Sequence, residues 1–171
     1  MAVNSPVMTM MIRAAEKAGK SLIRDFGEVE QLQVSKKGPA DFVSAADRRA
    51  EEIIYHELKK ARPDWSFLME ESGSVQGGDP DHRWIIDPLD GTTNYAHAFP
   101  WFCVSIGVQV EGELKAGAIF NPVSKELFTA EKGKGAFLNG KRIKVSRTKE
   151  LGRALLGTGF YYTSGKALRQ E

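Results

Sequence analysis

The sequence has a single cysteine, Cys103, so no disulfide can close within the chain. Its apolar neighbours Phe102 and Val104 mark a buried, inert thiol rather than a nucleophile. No apolar run approaches the roughly 20 residues needed to span a bilayer. The methionine-rich start (Met8, Met10, Met11) is broken by Arg13, Glu16 and Lys17, which makes it an amphipathic helix and not a signal peptide. A reducing, cytoplasmic setting away from membranes is therefore expected. Charge of one sign is also lacking: 24 Lys and Arg stand against 22 Asp and Glu, too even to leave an electrostatic footprint for direct nucleic-acid binding. There is no internal repeat and no low-complexity tract. What is present is 171 residues, 42% hydrophobic, which makes one domain, or one domain and the start of another, able to bury about 70% of its unfolded surface.

Ser5-Pro6 reads as an N-cap followed by proline in the first helical turn, and Met11, Ala14, Ala15, Ala18, Leu22 and Phe26 recur at helical spacing up to a stop at Gly27. From Val29 to Ser44, short alternating runs around Lys36-Lys37-Gly38-Pro39 predict a hairpin or two extended arms joined by a mobile polar loop. Ser44, three residues before Asp47, starts a second helix whose apolar face (Ala46, Ala50, Ile53, Ile54, Leu58, Ala61) runs to Pro63. Strands are expected at Ser66 to Met69, Arg83 to Asp87, Phe102 to Glu111, Glu113 to Asn121 and Glu126 to Glu131. Asn139-Gly140 is a two-residue hairpin signal between Ala136-Leu138 and Arg142-Val145. Two helices followed by meandering strands predict an α+β fold with a largely antiparallel sheet. Leu151 to Phe160 starts a fresh apolar run, read as a new strand, so residues 1–150 are expected to form one α+β domain and 151–171 the start of a truncated second.

The densest chemistry is Trp84-Ile85-Ile86-Asp87-Pro88-Leu89-Asp90-Gly91-Thr92-Thr93-Asn94-Tyr95, where a buried strand delivers two carboxylates, three residues apart, into a tight turn. Pro88 prevents an ordinary central strand from continuing, so groups of Asp87, Leu89 and Asp90 can face one point. That suits a hard cation such as Mg²⁺, which takes oxygen ligands and leaves positions for water and phosphate; Asp87 and Asp90 are placed to bridge two. Gly91 permits close backbone approach, and Thr92 to Tyr95 reads as a short helix whose free N–H groups would face a phosphate. A bare Asp-Gly is most often only a turn, Asp47 alone would be a helix cap, and Glu70-Glu71 alone would be solvated acid. Trp84 and Trp101 read as core, and His97 as structural.

With Glu70-Glu71-Ser72 and Asp41-Phe42-Val43-Ser44-Ala45-Ala46-Asp47 before it, in this order, the string Asp87-Pro88-Leu89-Asp90-Gly91-Thr92-Thr93-Asn94-Tyr95 resembles the inositol monophosphatase family of magnesium-dependent phosphatases. The resemblance runs from the first helix to Phe160 and implies the first half of a layered α-β-α-β-α fold. It also implies that Glu70, Asp87 and the Leu89 carbonyl hold one Mg²⁺, that Asp87 and Asp90 share a second, and that Glu70 helps to hold a third. By the same resemblance Asp47 and Thr92 activate water, Gly91 and Thr92 donate backbone N–H groups to phosphate, and Asp90 touches a substrate hydroxyl. Two or three Mg²⁺ ions, inhibition by Li⁺, a small phosphorylated polyol as substrate, no phosphoenzyme and a homodimer are implied with it. Lys36 falls in the loop the family uses near its third metal, but reads equally as a solvated lysine.

The sequence departs from the family at Phe160-Tyr161-Tyr162, where Phe-Pro-Tyr is usual, and it lacks the later Trp-Asp motif whose aspartate completes the second metal site. The chain is accordingly expected to be weakly active or inactive alone. Thr93-Asn94-Tyr95 favours inositol monophosphate; the alternatives are a nucleotide 3′-phosphate or fructose bisphosphate as substrate, or a non-catalytic regulator that binds protein.

Overall fold

The computed structural model describes residues 4–32 and 40–157. Ser5 caps the first helix, its Oγ accepting the Met8 N–H at 3.1 Å, with Pro6 in the first turn where no intrahelical donor is needed. This helix, α1 (Pro6–Leu32), buries Met8, Met11, Ala14, Ala15, Ala18, Leu22 and Phe26 along one stripe. It does not stop at Gly27, contrary to the sequence expectation. An interior glycine costs only about 1 kcal/mol relative to alanine, and Phe26, packed on the rings of Tyr95 and Phe102, holds the helix in register through that point.

The second helix, α2 (Ala40–Ala61), begins before Ser44, so Ser44 is not its cap and Phe42-Val43 is helical rather than extended. The extended arms are thereby corrected to helix at both ends, over 29–32 and 40–44. The polar centre of that segment, including Lys36, lies outside the described residues. Asp25 ties the helices together: it is buried, and Arg49 on α2 donates to its Oδ2 from Nη2 at 2.8 Å and from Nε at 3.2 Å.

Eight strands follow: β1 (Ser66–Met69), β2 (Gly73–Val75), β3 (His82–Asp90), β4 (Cys103–Val110), β5 (Glu113–Asn121), β6 (Glu126–Glu131), β7 (Gly135–Leu138) and β8 (Lys141–Ile143). They form one sheet in the order β2-β1-β3-β4-β5-β6-β7-β8, antiparallel at every pairing except β1 with β3. β2, too short to show as a period, is the strand the sequence reading misses. The Asn139-Gly140 turn is as expected, both residues having positive φ (48° and 75°), the geometry that joins twisted strands in two residues.

The helices α1 and α2 cover one face of the sheet, burying Trp84, Ile86, Val104, Ile106, Val108 and Ala118 beneath them. Among the described residues the other face, with Ile85, Gly107, Gly117, Ile119 and Phe128 across its middle strands, carries no helix. Leu151–Arg153 is a single 3₁₀ turn and 154–157 has no regular structure, so no strand forms over the described part of 151–160; its apolar side chains Leu151, Leu155 and Leu156 are exposed. No helix among the described residues is long and apolar enough to cross a membrane.

Candidate active site

The site is built by a defect in β3. Asp87 pairs with Ser105 and Asp90 with Cys103, so three steps along β3 oppose two along β4 and the ladder bulges over Pro88 and Leu89. Proline has no N–H to give to the ladder. β3 therefore runs on through Pro88 to Asp90, whereas the sequence reading has proline interrupt it, and the bulge re-aims its end. Leu89 keeps its side chain buried while its N–H donates to Asp87 Oδ1 at 3.1 Å, and Asp90 emerges exposed.

Because β1 runs parallel to β3, its end falls beside Asp87: the Glu70 N–H continues the pairing by donating to the Ile86 carbonyl at 3.2 Å. The Glu70 carboxyl stands close enough to Asp87 to act on its ionisation. Burial first, then the neighbouring carboxyl of Glu70, then Asp90, push Asp87 up to about 7 against the opposing pull of the Leu89 N–H. From α2, Asp47 reaches the same region, only 3% exposed, and its Oδ1 is buried without a hydrogen-bond partner. Burial first, then the charges of Glu71, Glu70, Asp87 and Glu51, raise it to about 8.

At Asp90 the chain turns through Gly91, which has φ 94° and lies so close to the following loop that a Cβ would meet the Trp101 carbonyl at 3.1 Å. Gly91 is the N-cap of the short helix α3 (Thr92–Ala96) expected from the sequence. Its first turn is closed by the Tyr95 N–H donating to the Gly91 carbonyl at 3.0 Å, and Thr92 Oγ1 donates to the Leu89 carbonyl at 3.0 Å. Tyr95 anchors α3 to α1, donating its hydroxyl proton to the Leu22 carbonyl at 2.8 Å. The N–H groups of the first turn precede any intrahelical acceptor.

Asp47, Glu70 and Asp87 are thus brought together electrostatically, with Asp90 acting on Asp87, while Gly91 and Thr92 adjoin them in chain order. No hydrogen bond joins Thr92 to Asp47; the Thr92 hydroxyl is turned to Leu89 instead. Among the described residues no three His, Cys, Asp or Glu side chains converge as a ready-made metal-ligand cluster. The donor set nonetheless fits a hard cation. It is all oxygen, it crowds negative charge at a half-buried point, and it leaves one buried aspartate oxygen with nothing to bind.

Two concavities flank the acidic residues. One of ≈ 360 Å³ is lined by Asp90, Gly91, Asn94, Trp101, Cys103 and Phe128, and one of ≈ 500 Å³ runs from Asp87 across the open sheet face. Trp84 is core as expected, but Trp101 is not: it is 61% exposed, on the loop between α3 and β4 whose neighbouring Phe102 takes the core position instead. Cys103 is half-buried rather than buried; its thiol, 3.5 Å from Asp90 Oδ2, is pushed up to about 12 by burial and by that carboxylate, which keeps it inert as expected. His97 is structural, its Nδ1 2.8 Å from the Thr93 carbonyl. Sequence reasoning misses Glu51, buried on α2 one turn after Asp47 and bonded to the residues that follow Glu70. The i to i+4 spacing from Asp47 is the signal that could have found it.

A mainly antiparallel sheet with helices on one face, a proline bulge at the end of one strand with carboxylates around it and a glycine-capped helix beside them define an α+β protein with a candidate acidic site. Solved structures agree: an extragenic suppressor protein suhB from Bartonella henselae is similar with a TM-score of 0.78 and 52% identity, over 86% of this chain and 57% of that one. An inositol monophosphatase from Anabaena has a TM-score of 0.70 and 39% identity, over 83% of this chain and 50% of that one. The chain belongs to the inositol monophosphatase family, whose pattern matches residues 3–171. Among curated relatives, an inositol-1-monophosphatase from Mesorhizobium japonicum is 55% identical and a Nus factor SuhB from Vibrio cholerae 43%, each over 91% of this chain. The chain spans 58% of the length of both relatives. The family is generally metal-dependent.

Proposed function

We propose that the protein is a Mg²⁺-dependent phosphomonoesterase that hydrolyses inositol monophosphate or a similar small polyol phosphate. The observation that carries this reading is the crowding of Asp47, Glu70 and Asp87, with a buried Asp47 oxygen left unpartnered. Glu70, Asp87 and the Leu89 carbonyl would hold one ion, Asp87 and Asp90 a second, and Glu70 would contribute to a third. When bound, Mg²⁺ supplies charge to neutralise the phosphate and lowers the pKa of water. The chain's own residues do the rest. Gly91 and Thr92 present backbone N–H groups to the phosphate oxygens, and Asp90 meets a substrate hydroxyl. Asp47, ionised once cation charge offsets its carboxylate neighbours, orients a water with Thr92 and takes its proton as the water oxygen bonds to phosphorus; the P–O ester bond opposite breaks and the departing alkoxide takes a proton from solvent. The Thr92 hydroxyl, which donates to the Leu89 carbonyl, must turn away from it for this. In the same reading, residues 1–150 form the metal- and phosphate-binding unit and 151–171 open a second, two copies pair, and the setting is the cytoplasm.

The test is phosphate release from inositol 1-phosphate, with and without Mg²⁺, by this chain and by the chain continued with the remaining length of the Mesorhizobium relative. Release that requires Mg²⁺, falls with Li⁺ and is lost in Asp87→Asn is expected in at least one of them. Release indifferent to Asp87→Asn would overturn the reading, and preference for a nucleotide 3′-phosphate or fructose bisphosphate would move the substrate. The SuhB-named relatives favour one other reading, a regulator that binds protein. A specific partner retained by an inactive Asp87→Asn, Asp90→Asn variant would support it.

A further inference from the structure

Glu51 is a carboxylate almost wholly removed from solvent, 2% exposed, whose two oxygens are both spent on one short stretch of chain. Its Oε2 accepts the Glu71 N–H at 2.9 Å, and its Oε1 accepts the Ser72 hydroxyl. On the other side of Glu71, the Glu70 N–H is held by the Ile86 carbonyl of β3. The backbone at Glu70 is therefore pinned to β3 at one end and to α2 at the other, just where its carboxyl must meet Asp87. We infer that Glu51 is the positioning residue of the acidic site, fixing the Glu71–Ser72 turn from α2 and thereby the place of Glu70 beside Asp87.

Burying a carboxylate is costly unless hydrogen bonds replace water, and here neutral donors supply them. Each of its oxygens accepts a hydrogen bond from the Glu71–Ser72 turn, so Glu51 acts through Glu70. It also stands one helical turn beyond Asp47, so α2 carries on a single face both the unpartnered aspartate and the residue that sets Glu70. Glutamine can satisfy the same two contacts, its carbonyl accepting from Glu71 and its amide donating to the Ser72 oxygen.

This inference rests on the reading of the site as a metal centre, and the experiment separates the two. Mn²⁺ affinity is measured by electron paramagnetic resonance titration of the 171-residue chain as wild type, Glu51→Ala, Glu51→Gln, Glu70→Ala and the Glu51→Ala, Glu70→Ala pair, with circular dichroism to verify folding. Glu51→Ala is expected to weaken Mn²⁺ about tenfold, the scale of lost outer-shell partners, and Glu51→Gln to restore most of it. In the Glu70→Ala background Glu51→Ala should cost nothing more, because its route is gone. A folded Glu51→Ala with wild-type affinity, or an equal loss in both backgrounds, overturns the inference. If Glu51→Ala does not fold, Ser72→Ala takes its place: a smaller loss that also vanishes without Glu70 supports the inference, and no loss overturns it. Failure of wild type itself to bind Mn²⁺ would overturn the metal reading and this inference with it.

Discussion

Asp47 is a buried carboxylate whose charged neighbours of most influence are all carboxylates. Its folded-state pKa is about 8, raised by burial and then by those charges, whereas an unfolded aspartate titrates near its ordinary 3.8. Between those values the folded chain holds a proton the unfolded chain has released, so stability is full at low pH and falls as pH rises through the window. In a chelator, the melting temperature should drop between about pH 5 and about pH 8, by roughly 2 to 4 °C for each kcal/mol lost. Asp47→Asn, neutral throughout, should reduce that slope and leave the share carried by Asp87, which is also pushed up, to about 7; an unchanged slope would place the titrating group elsewhere. Asp87, Asp90 and Gly91 are legible in the sequence because a proline and a glycine sit between and beside two aspartates, a combination with few structural uses. Glu51 is not, because it acts on backbone N–H and hydroxyl groups 20 and 21 residues away, and no local pattern records such a bond.

At the scale of the element, the two glycines of α1 show what propensity leaves out. Gly19 lies where the helix crosses the end of β5: a Cβ there would stand 2.8 Å from Phe120 Cε1 and 3.0 Å from Pro122 Cβ. Gly27, in the same helix, would place its Cβ with nothing within 4 Å. Gly19→Ala should therefore destabilise by about 1 to 3 kcal/mol through overpacking, although alanine is the better helix former. Gly27→Ala should stabilise by roughly 0.5 to 1 kcal/mol. Urea unfolding of both variants checks the pair, and the same sign for both would mean that helix propensity outweighs the contact with β5. The expected stop at Gly27 fails for a related reason. Sequence spacing shows which residues could be apolar neighbours along a helix, but not that Phe26 is seated between Tyr95 and Phe102, which carries the helix past its glycine.

For the whole molecule, alternation and turn residues anticipate the antiparallel run from β3 to β8, since short connections leave those strands little choice but to pair with their neighbours. The parallel pairing of β1 with β3 is not anticipated, because it depends on the three-residue β2 folding back on the outer edge before the chain returns. That single crossover brings Glu70 beside Asp87, so the one unreadable step of topology is also the one that assembles the site. The opposite face of the same sheet is as unusual as the site. Small residues Gly107, Gly117, Ala130 and Ala136 form a shallow floor, ringed by exposed Leu114, Ile119, Phe128 and Ile143, with no helix over it among the described residues. A contiguous apolar face of this kind binds apolar solutes, unlike scattered single side chains. The 171-residue chain should accordingly enhance the fluorescence of the dye 1-anilinonaphthalene-8-sulfonate while fully folded. Replacing Ile119 and Phe128 by threonine keeps strand propensity and removes apolar surface, so Ile119→Thr with Phe128→Thr should cut the enhancement without moving the near-ultraviolet dichroism of Trp84 and Tyr95, which lie under the helices. If the dye signal survives both changes, it comes from the exposed leucines after β8, and the sheet face is closed in solution.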